Sequence, residues 1–394
     1  STLGWLCLGW PDERPPEPGL QRAGWSSRQP LSDVVLWERW GGDDADGTAH
    51  AEDNNEPRPP PSHLQAPEPL AVVGARDDAD VLLTPPGSLG ALDRAVDRLH
   101  AVGLDADAPI SVVLAAASHP VTGHRVSTYG DAITREVLEA TVAGESLGAV
   151  TARLVGAELT AVDAGVDGDP VAGARSCRPL GACGDLVESD ALMAEDVARL
   201  VEAGRKHGET LGHRIVVPGE VGVGNTTVAA ALVASRLQLT AADAVGLGAG
   251  GDAATLERKR AVVDRALGRA QATHPDLGEP LVALAALGGP EIAYLTGVIL
   301  GAATAHSLIV LDGLVTSSAA LIAVALEPAV AAHLVAGQRS REQVHHAVLV
   351  HLGLEPLLAL RLRSGEGVGA LLAAQLLRTA AALRAQTGRV GEPT

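Results

Sequence analysis

The sequence is poor in lysine, in cysteine and in several large side chains. Of its 30 basic residues only Lys206 and Lys259 are lysines, and it contains no Phe and a single Met. We interpret this as a compositional bias against lysine, so a lysine that survives it indicates a need for a compact ammonium that arginine cannot replace. Three scattered cysteines are too few for a disulfide framework or a four-ligand zinc site, and they suit a reducing cytoplasm.

Basic clusters, uninterrupted apolar runs and a secretory leader are also missing. The formal net charge of −18, the pI of about 5.1 and the lack of a basic patch exclude a nucleic-acid partner. The apolar tract over 281–335 favours a buried core rather than a membrane span, because four polar residues interrupt it: Glu291, His306, Asp312 and Glu327. No charged-then-apolar stretch opens the sequence, so we expect no secretory signal.

The first 75 residues differ in composition from the rest of the chain. All five tryptophans lie within the first 40 residues, and an acidic, proline-rich run follows from Gly41 to Pro61. Such a run buries too little apolar surface to offset its chain entropy. We therefore predict a low-complexity, disordered extension over 1–75 and a folded domain over 76–394, which is long enough for a sizeable core.

Strands and helices alternate along the predicted domain. Apolar and β-branched runs predict strands over 110–117, 158–166, 215–217 and 307–311. Helical periodicity predicts helices over 89–102, 136–154, 193–211, 254–267, 292–305 and 370–386. This alternation predicts an α/β fold with a parallel sheet, whose ligands bind at the carboxyl ends of the strands. Glu220, Asp312 and the loop at Ser118 all follow predicted strands, which favours one shared site.

The stretch over 214–236 has the layout of a phosphate-binding turn. A short strand over 215–217 leads into a glycine-rich turn, and Thr226 opens a helix whose free N–H groups point at an anion. The turn glycines are Gly219, Gly222 and Gly224. An ordinary glycine-rich turn between a strand and a helix is the alternative interpretation.

Two residues of this turn set limits on the ligand. The spacing from Gly219 to Gly224 nearly matches a P-loop, but Asn225 stands where the lysine belongs, which favours a phosphate ester smaller than a triphosphate. Glu220 is anomalous, because a phosphate repels a carboxylate. We expect Glu220 to bind another part of the ligand, such as ribose hydroxyls.

Two further glycine clusters follow. Gly246-x-Gly248-x-x-Gly251 is formally a dinucleotide fingerprint, although the residues before it make a poor strand. Glu366 stands between two glycines just ahead of a predicted helix, so its carboxylate can reach a ligand. The alternative is an acid that merely interacts with the helix N-terminus.

Four histidines near the C-terminal end invite a metal interpretation. They are His333, His345, His346 and His351. None lies in an HExxH or CxxC pattern, so we predict solvated or packed side chains and no metal site.

Ten segments between 78 and 383 together resemble the nicotinate-nucleotide–dimethylbenzimidazole phosphoribosyltransferases, and they stand in the family's order. The segments are PPGSLGALD (85–93), GHRVSTYG (123–130), VDAGVD (162–167), GEVGVGNTT (219–227), VGLGAGGD (245–252), RKRAVVDRAL (258–267), ALGGPEIA (286–293), LDGLVTSSAAL (311–321), LGLEPLL (352–358) and RSGEGVGA (363–370).

The resemblance implies a fold and an activity. The fold is a Rossmann-like parallel sheet with helices on both faces over about 105–345, plus a small helical domain from both chain ends, about 76–104 and 346–394. The activity is transfer of the 5-phosphoribosyl group of nicotinate mononucleotide to a benzimidazole base. The products are α-ribazole 5′-phosphate, used for cobalamin nucleotide-loop assembly, and nicotinate. A homodimer is implied, without cofactor, metal, nucleic acid or membrane.

The resemblance also implies roles for single residues. Glu366 matches the general base that acts on the benzimidazole, and Ser127 matches a residue beside that base. Glu220, Gly222 and Lys259 match residues that hold nicotinate mononucleotide or its phosphate. The other candidate substrate-binding residues are Gly224, Asn225, Thr226, Asp312 and Gly248.

Three segments depart from the family pattern. Ser118-His119-Pro120 replaces Asp-His-Gly, Val137 replaces a glutamine, and Gln338-Arg339-Ser340-Arg341-Glu342 replaces His-x-Ser-x-Glu. These changes affect the expected identity of the base acceptor more than the expected binding of the phosphoribosyl half of the substrate.

Three function classes therefore stand side by side. They are the transferase, a non-catalytic homologue that binds nucleotide or base as a sensor or carrier, and a dinucleotide-dependent oxidoreductase that uses the Gly246 motif. In the transferase, the acceptor nitrogen loses a proton as it attacks C1′ of the ribose, which requires a base such as a carboxylate. The joint presence of Glu366, Glu220 and Lys259 favours this first class.

Overall fold

The computed structural model describes Leu64, residues 66–246 and residues 252–390. Its centre is a six-stranded sheet in the order β3-β2-β1-β4-β5-β6, and each neighbouring pair is parallel. The strands are β1 Ile110–Ala116, β2 Glu158–Asp163, β3 Arg175–Ser176, β4 Ile215–Val221, β5 Leu308–Leu311 and β6 Leu334–Ala336. The strand order changes direction between β1 and β4, and ligands of open α/β sheets bind at such a switch point.

Helices connect the strands and precede and follow the sheet. The α-helices of the described residues are α1 Pro69–Asp80, α2 Ala91–Ala101, α3 Ala132–Ala143, α4 Leu147–Val155, α5 Ala194–Glu209, α6 Asn225–Leu237, α7 Ala241–Ala244, α8 Ala253–Thr273, α9 Pro280–Leu287, α10 Pro290–Thr304, α11 Leu314–Leu326, α12 His345–His351 and α13 Val368–Gln386. Two 3₁₀ helices span Pro120–His124 and Pro328–His333.

Both faces of the sheet are buried. Successive side chains of a strand point in opposite directions, and in β1 the two directions lead into two different apolar clusters. In β1, Val112 belongs to the apolar cluster that includes residues of α2 and α13, and Val113 belongs to the larger cluster formed with α5, α6 and α8–α11. The predicted α/β fold with helices on both faces of a parallel sheet is therefore confirmed.

Helix α13, near the C-terminal end of the described residues, packs against α2, near their N-terminal end. Arg384 of α13 binds two carboxylates of α2, with nitrogen–oxygen distances of 2.7 Å to Asp93 and 2.7 Å to Asp97. The domain boundary at residue 75 stays a prediction, since residues 1–63 lie outside the described residues. Helix α1 begins before that boundary, at Pro69.

Two predicted elements differ in extent. The helix predicted over 136–154 is two helices, α3 and α4, because Gly144 adopts a left-handed φ of 79° that ends the first. Ser146 then caps the second by accepting a hydrogen bond from the N–H of Ala149. Strands β3 and β6 were not predicted, because two or three residues are too few to show a period.

Strand β4 is longer than the predicted 215–217. It continues to Val221, so Gly219 and Glu220 lie on the strand rather than in the glycine turn. The reason is the register with β1, in which Gly219 pairs with Leu114 and Glu220 with Ala115. The strand therefore carries the Glu220 side chain directly to the carboxyl edge of the sheet.

Glycines allow α5 and α10 to pack backbone against backbone. A Cβ on Gly204 or Gly208 of α5 would lie 2.0 Å from Tyr294 O or 2.3 Å from Val298 O, respectively. On the facing helix, a Cβ on Gly297 would lie 1.9 Å from a backbone oxygen of α5. This spacing of small residues is what close helix packing requires.

Within the described part of the chain, α13 has the length and composition of a membrane-crossing helix. More than half of its apolar window is buried inside the protein, where Leu371 and Leu377 pack in the cluster with β4 and β5. This is the environment of a core helix.

We predict that Gly208→Ala destabilises the protein by about 2 kcal/mol or more, because the added methyl group overpacks the α5–α10 contact. Gly268→Ala on α8 is the matched control. A Cβ at that position meets nothing within 4 Å, so this helical substitution should be neutral or stabilise by up to about 1 kcal/mol. Chemical denaturation of both variants measures the difference, and equal effects would contradict the packing argument.

Candidate active site

A cavity of about 420 Å³ lies beside the carboxyl end of β4. This volume is within the range of small-molecule sites. Its walls come from α3 and the loop before it, the glycine turn, the start of α6 and the loop before α13. The lining residues include Ser127, Tyr129, Ile133, Thr134, Val137, Glu220, Gly222, Gly224, Asn225, Thr226, Gly365 and Glu366.

The glycine turn joins β4 to α6 as predicted, and Asn225 is the first helical residue. Gly224 adopts a left-handed φ of 89°. Gly222 leaves no room for a side chain, since a Cβ there would lie 2.9 Å from Ala117 O and 3.0 Å from His119 Nε2. The turn is therefore held tightly against the end of β1, at the switch point of the sheet.

Lys259 reaches this turn from α8. Its ammonium lies 3.5 Å from Thr226 Oγ1, and the residue is only 5% exposed. Burial lowers the pKa of Lys259, and the nearby Glu342 carboxylate offsets part of this effect. By contrast, the Lys206 side chain is 68% exposed and lies 3.3 Å from Glu202. The two lysines thus have different environments, and Lys259 is the one at the predicted phosphate site.

The Glu366 carboxylate is held by a helix other than its own. Its Oε2 accepts a 2.8 Å hydrogen bond from the N–H of Gly148, at the start of α4. Glu366 precedes α13 by two residues and has a left-handed φ of 62°, which is uncommon for a residue with a side chain. The carboxylate is therefore oriented by α4 and not by the start of the helix that follows it.

Glycines let the Glu366 loop lie directly on β4. A Cβ on Gly219 would be 2.9 Å from the carbonyl carbon of Glu366, and a Cβ on Gly365 would be 2.8 Å from Glu220 Oε1. A 2.9 Å hydrogen bond from Glu366 N–H to Glu220 O joins the two segments. Gly365, which precedes Glu366, thus allows close backbone packing on β4 as well as access to the Glu366 carboxylate.

Glu220 is surrounded by acidic groups. Its Oε2 accepts a hydrogen bond from the side-chain amide of Asn225. Burial raises the pKa of Glu220 well above its usual value, and the carboxylate of Asp312 raises it further. Glu291 and Glu366 act in the same direction, against the Asn225 hydrogen bond.

Asp312 follows β5 and lies behind the cavity rather than on its wall. It is 1% exposed, and its Oδ1 accepts hydrogen bonds from Gln338 Nε2 at 2.9 Å and from Ala370 N–H at 3.0 Å. Burial raises the pKa of Asp312 to about 7, although these hydrogen bonds oppose the shift.

The part of the wall formed by α3 and the loop before it is mainly apolar. Ile133 and Val137 of α3 line it together with Tyr129. Ser127 also lines the cavity, and its hydroxyl accepts a 3.1 Å hydrogen bond from Tyr129 N–H. The hydroxyl of Thr134 accepts a 3.0 Å hydrogen bond from the N–H of Val223. Such a surface suits a flat aromatic ring.

Sequence reasoning missed several residues of this region. No local signal identified Gly148 as the partner of Glu366. The buried pair of His119 and Glu291 lies next to the glycine turn, because a Cβ on Gly222 would be 3.0 Å from His119 Nε2, and this nitrogen lies 3.0 Å from Glu291 Oε1 without hydrogen-bond alignment. Glu291 was visible only as an acid inside an apolar run.

The remaining motifs lie elsewhere. Gly246 follows the short helix α7 rather than a strand, which argues against a Rossmann pyrophosphate loop. Gly248 lies outside the described residues. His333 and His345 are buried with hydrogen-bond partners, whereas His346 and His351 are not buried.

Two larger hollows differ from this site. One of about 710 Å³ is mostly apolar, lies near His274 and Leu281, and contains none of the predicted site residues. The other, of about 600 Å³, lies over the ends of β1 and β2 and is lined by Ser118 and His119. Of these three spaces in the described part of the chain, the 420 Å³ cavity is the one that brings together the glycine turn and Glu366.

Comparisons with known proteins point to one family. A sequence model of a family described as phosphoribosyltransferase matches residues 64–392. The nicotinate-nucleotide–dimethylbenzimidazole phosphoribosyltransferase of Variovorax paradoxus (strain S110) is 40% identical over 302 residues, which are 75% of this chain and 85% of that protein. The protein of the same name from Pseudomonas aeruginosa (strain PAO1) is 39% identical over 319 residues, which are 79% and 90% of the two chains.

Solved structures agree. The crystal structure of CobT from Thermus thermophilus is similar with a TM-score of 0.75 and 36% identity, over 82% of this chain and 97% of that chain. Fold, sequence and cavity are thus consistent with one another. The chain belongs to the nicotinate-nucleotide–dimethylbenzimidazole phosphoribosyltransferase family, and it is a phosphoribosyltransferase enzyme.

Proposed function

We propose that this enzyme transfers the 5-phosphoribosyl group of nicotinate mononucleotide to a benzimidazole base. The products are α-ribazole 5′-phosphate, for assembly of the cobalamin nucleotide loop, and nicotinate. One observation carries the proposal: the glycine turn and the Glu366 carboxylate line the same 420 Å³ cavity. The names of the relatives support the choice of substrates.

The phosphate half of the substrate is assigned to the turn and to Lys259. Asn225 and Thr227 donate their N–H groups to Gly222 O and Gly224 O, so the start of α6 offers the N–H of Thr226 and the positive end of the helix. The buried ammonium of Lys259 lies beside Thr226 at this helix start. Gly222, Gly224 and Asn225 complete this proposed subsite.

The acceptor half is assigned to the apolar wall and Glu366. Ser127 lies beside the proposed ring position. Gly148 holds Glu366 Oε2, and the part of the chain that the structure describes provides no hydrogen-bond partner for Oε1. That oxygen is therefore available to accept the proton that the benzimidazole nitrogen loses.

The leaving group requires no acid. Nicotinate mononucleotide carries a cationic pyridinium, and cleavage of its bond to C1′ releases a neutral ring nitrogen. General-base catalysis contributes typically about 10²–10⁴-fold, and positioning of the two reactants supplies much of the rest. The residues of the cavity can carry out both tasks.

We also propose that the enzyme works as a homodimer in the cytoplasm. The small number of cysteines supports the compartment, and the resemblance to the family supports the dimer.

The direct test is incubation of the purified protein with nicotinate mononucleotide and dimethylbenzimidazole. We expect release of nicotinate together with formation of α-ribazole 5′-phosphate, both measured by chromatography. Binding of either substrate without turnover would instead identify a sensor or carrier, which the departures at Ser118 and Val137 suggest as the second candidate.

We predict that Glu366→Gln lowers turnover by about 10²–10⁴-fold while nicotinate mononucleotide still binds. Glutamine keeps an oxygen for the Gly148 N–H but is not a base. The loss should be smaller with an acceptor that is already deprotonated. Near-normal turnover would place the base elsewhere, with Glu220 the next candidate, and loss of nucleotide binding would make Glu366 a structural acid.

Lys259→Ala should strongly raise the KM for nicotinate mononucleotide, because it removes the buried cation at the phosphate subsite. Lys206→Ala is the control, since that exposed lysine lies on α5 beside Glu202. Steady-state kinetics of both variants measure the contrast. Equal KM values in the two variants would refute the assignment of Lys259 to the phosphate.

A further inference from the structure

Arg363 is a cation on the wall of the proposed active-site cavity. It is exposed, and within the described part of the chain its guanidinium forms neither a hydrogen bond nor an ion pair. The other charged groups that line the cavity belong to Glu220 and Glu366. Among the described lining residues, Arg363 is therefore the positive side chain that is available to an anionic ligand.

The two acids of the cavity are held by other partners. Glu366 Oε2 accepts a 2.8 Å hydrogen bond from the N–H of Gly148, and Glu220 Oε2 accepts one from the side-chain amide of Asn225. Neither carboxylate forms an ion pair with Arg363 among the described residues. The guanidinium thus remains available for a partner that comes from outside the chain.

The loop that carries Arg363 is fixed on the sheet. Glu366 N–H donates a 2.9 Å hydrogen bond to Glu220 O, and a Cβ on Gly365 would lie 2.8 Å from Glu220 Oε1. These contacts hold the loop at the carboxyl end of β4, on the side of the cavity where Glu366 lies. Lys259 instead reaches the start of α6 from α8. The two cations therefore serve the cavity from different elements.

Nicotinate mononucleotide carries two anionic groups, one at each end. Its phosphate is attached to C5′ of the ribose, whereas its carboxylate is on the pyridinium ring, which is bonded to C1′. The acceptor attacks C1′, so the ring end of the nucleotide must lie nearer to the proposed base Glu366 than the phosphate does. A cation in the loop of Glu366 matches the ring carboxylate, as Lys259 matches the phosphate.

The acids of the cavity make such a cation necessary. A ring carboxylate that approaches Glu220 and Glu366 is repelled by every one of these groups that is ionised. A guanidinium offsets this repulsion, and its planar pair of N–H donors fits a carboxylate in a bidentate geometry. The ring carboxamide of a nicotinamide nucleotide is neutral and gains much less from the same donors.

We propose that Arg363 is a specificity-determining residue, which binds the ring carboxylate of nicotinate mononucleotide and thereby selects this nucleotide over nicotinamide mononucleotide. The inference rests on the proposed function, because it requires the nucleotide in this cavity. It adds a second anion subsite to the proposed phosphate subsite at Lys259.

The test is calorimetric binding of three ligands to the wild type and to Arg363→Gln. Nicotinate mononucleotide has both anionic groups, nicotinamide mononucleotide has the phosphate alone, and nicotinate riboside has the carboxylate alone. The substitution should weaken binding of the two carboxylate ligands by roughly tenfold or more, and it should change the affinity for nicotinamide mononucleotide by less than about twofold. Because Arg363 is exposed without a described partner, we expect the variant to fold normally.

Arg361→Gln is the matched control. Arg361 is exposed in the same loop but does not line the cavity, so the same loss of charge should leave all three affinities unchanged. Lys259→Ala should give the reciprocal pattern, with weaker binding of the two mononucleotides only. Arg363→Lys keeps the charge but not the planar pair of donors, and it should retain part of the preference for nicotinate mononucleotide.

Three results would overturn the inference. They are an equal loss for the two mononucleotides in Arg363→Gln, which would assign Arg363 to the phosphate, unchanged affinities in that variant, and a wild type that binds both mononucleotides equally well. Each leaves the proposed function intact if the wild type converts nicotinate mononucleotide. A wild type that binds neither mononucleotide refutes the proposed function itself.

Discussion

The close contact between the Glu366 loop and β4 is the constraint on which the site depends. It requires glycine at 219 on the strand and at 365 in the loop, because a Cβ at either position would approach the other segment to within 3 Å. The contact fixes Glu366 in a left-handed conformation and places its carboxylate at the start of α4. The proposed general base is thereby held next to Glu220 and the proposed phosphate subsite.

The sheet explains why the site forms at this place. Strand order reverses between β1 and β4, so the connections after these strands diverge and leave a crevice at their carboxyl ends. The glycine turn after β4 and the apolar side chains of α3 both line this crevice. Asp312, which follows β5, places a buried carboxyl group behind the crevice.

Local patterns predicted most of the fold and part of the site. The strands at 110 and 308 and the helix after Gly224 have apolar or helical periods that sequence displays directly. The scarcity of lysine indicated a chemical need for the lysines that remain, whereas the burial of Lys259 is visible only in the structure. The bond between Gly148 and Glu366 could not be predicted, because the two residues are 218 positions apart and only tertiary packing joins them. The length of β4 likewise depends on pairing with β1 rather than on its own sequence.

The most direct measurement compares turnover and nucleotide affinity in Gly219→Ala. The added Cβ would lie 2.9 Å from the carbonyl carbon of Glu366 and 3.0 Å from Gly367 N, so the loop that carries Glu366 must move. The residues of the glycine turn over 222–227 are unchanged in this variant. The account predicts a fall in turnover of roughly 10²-fold, as for a base displaced by about 1 Å, with the Kd for nicotinate mononucleotide nearly unchanged. Wild-type turnover in this variant would contradict the claim that the backbone contact positions the catalytic carboxylate.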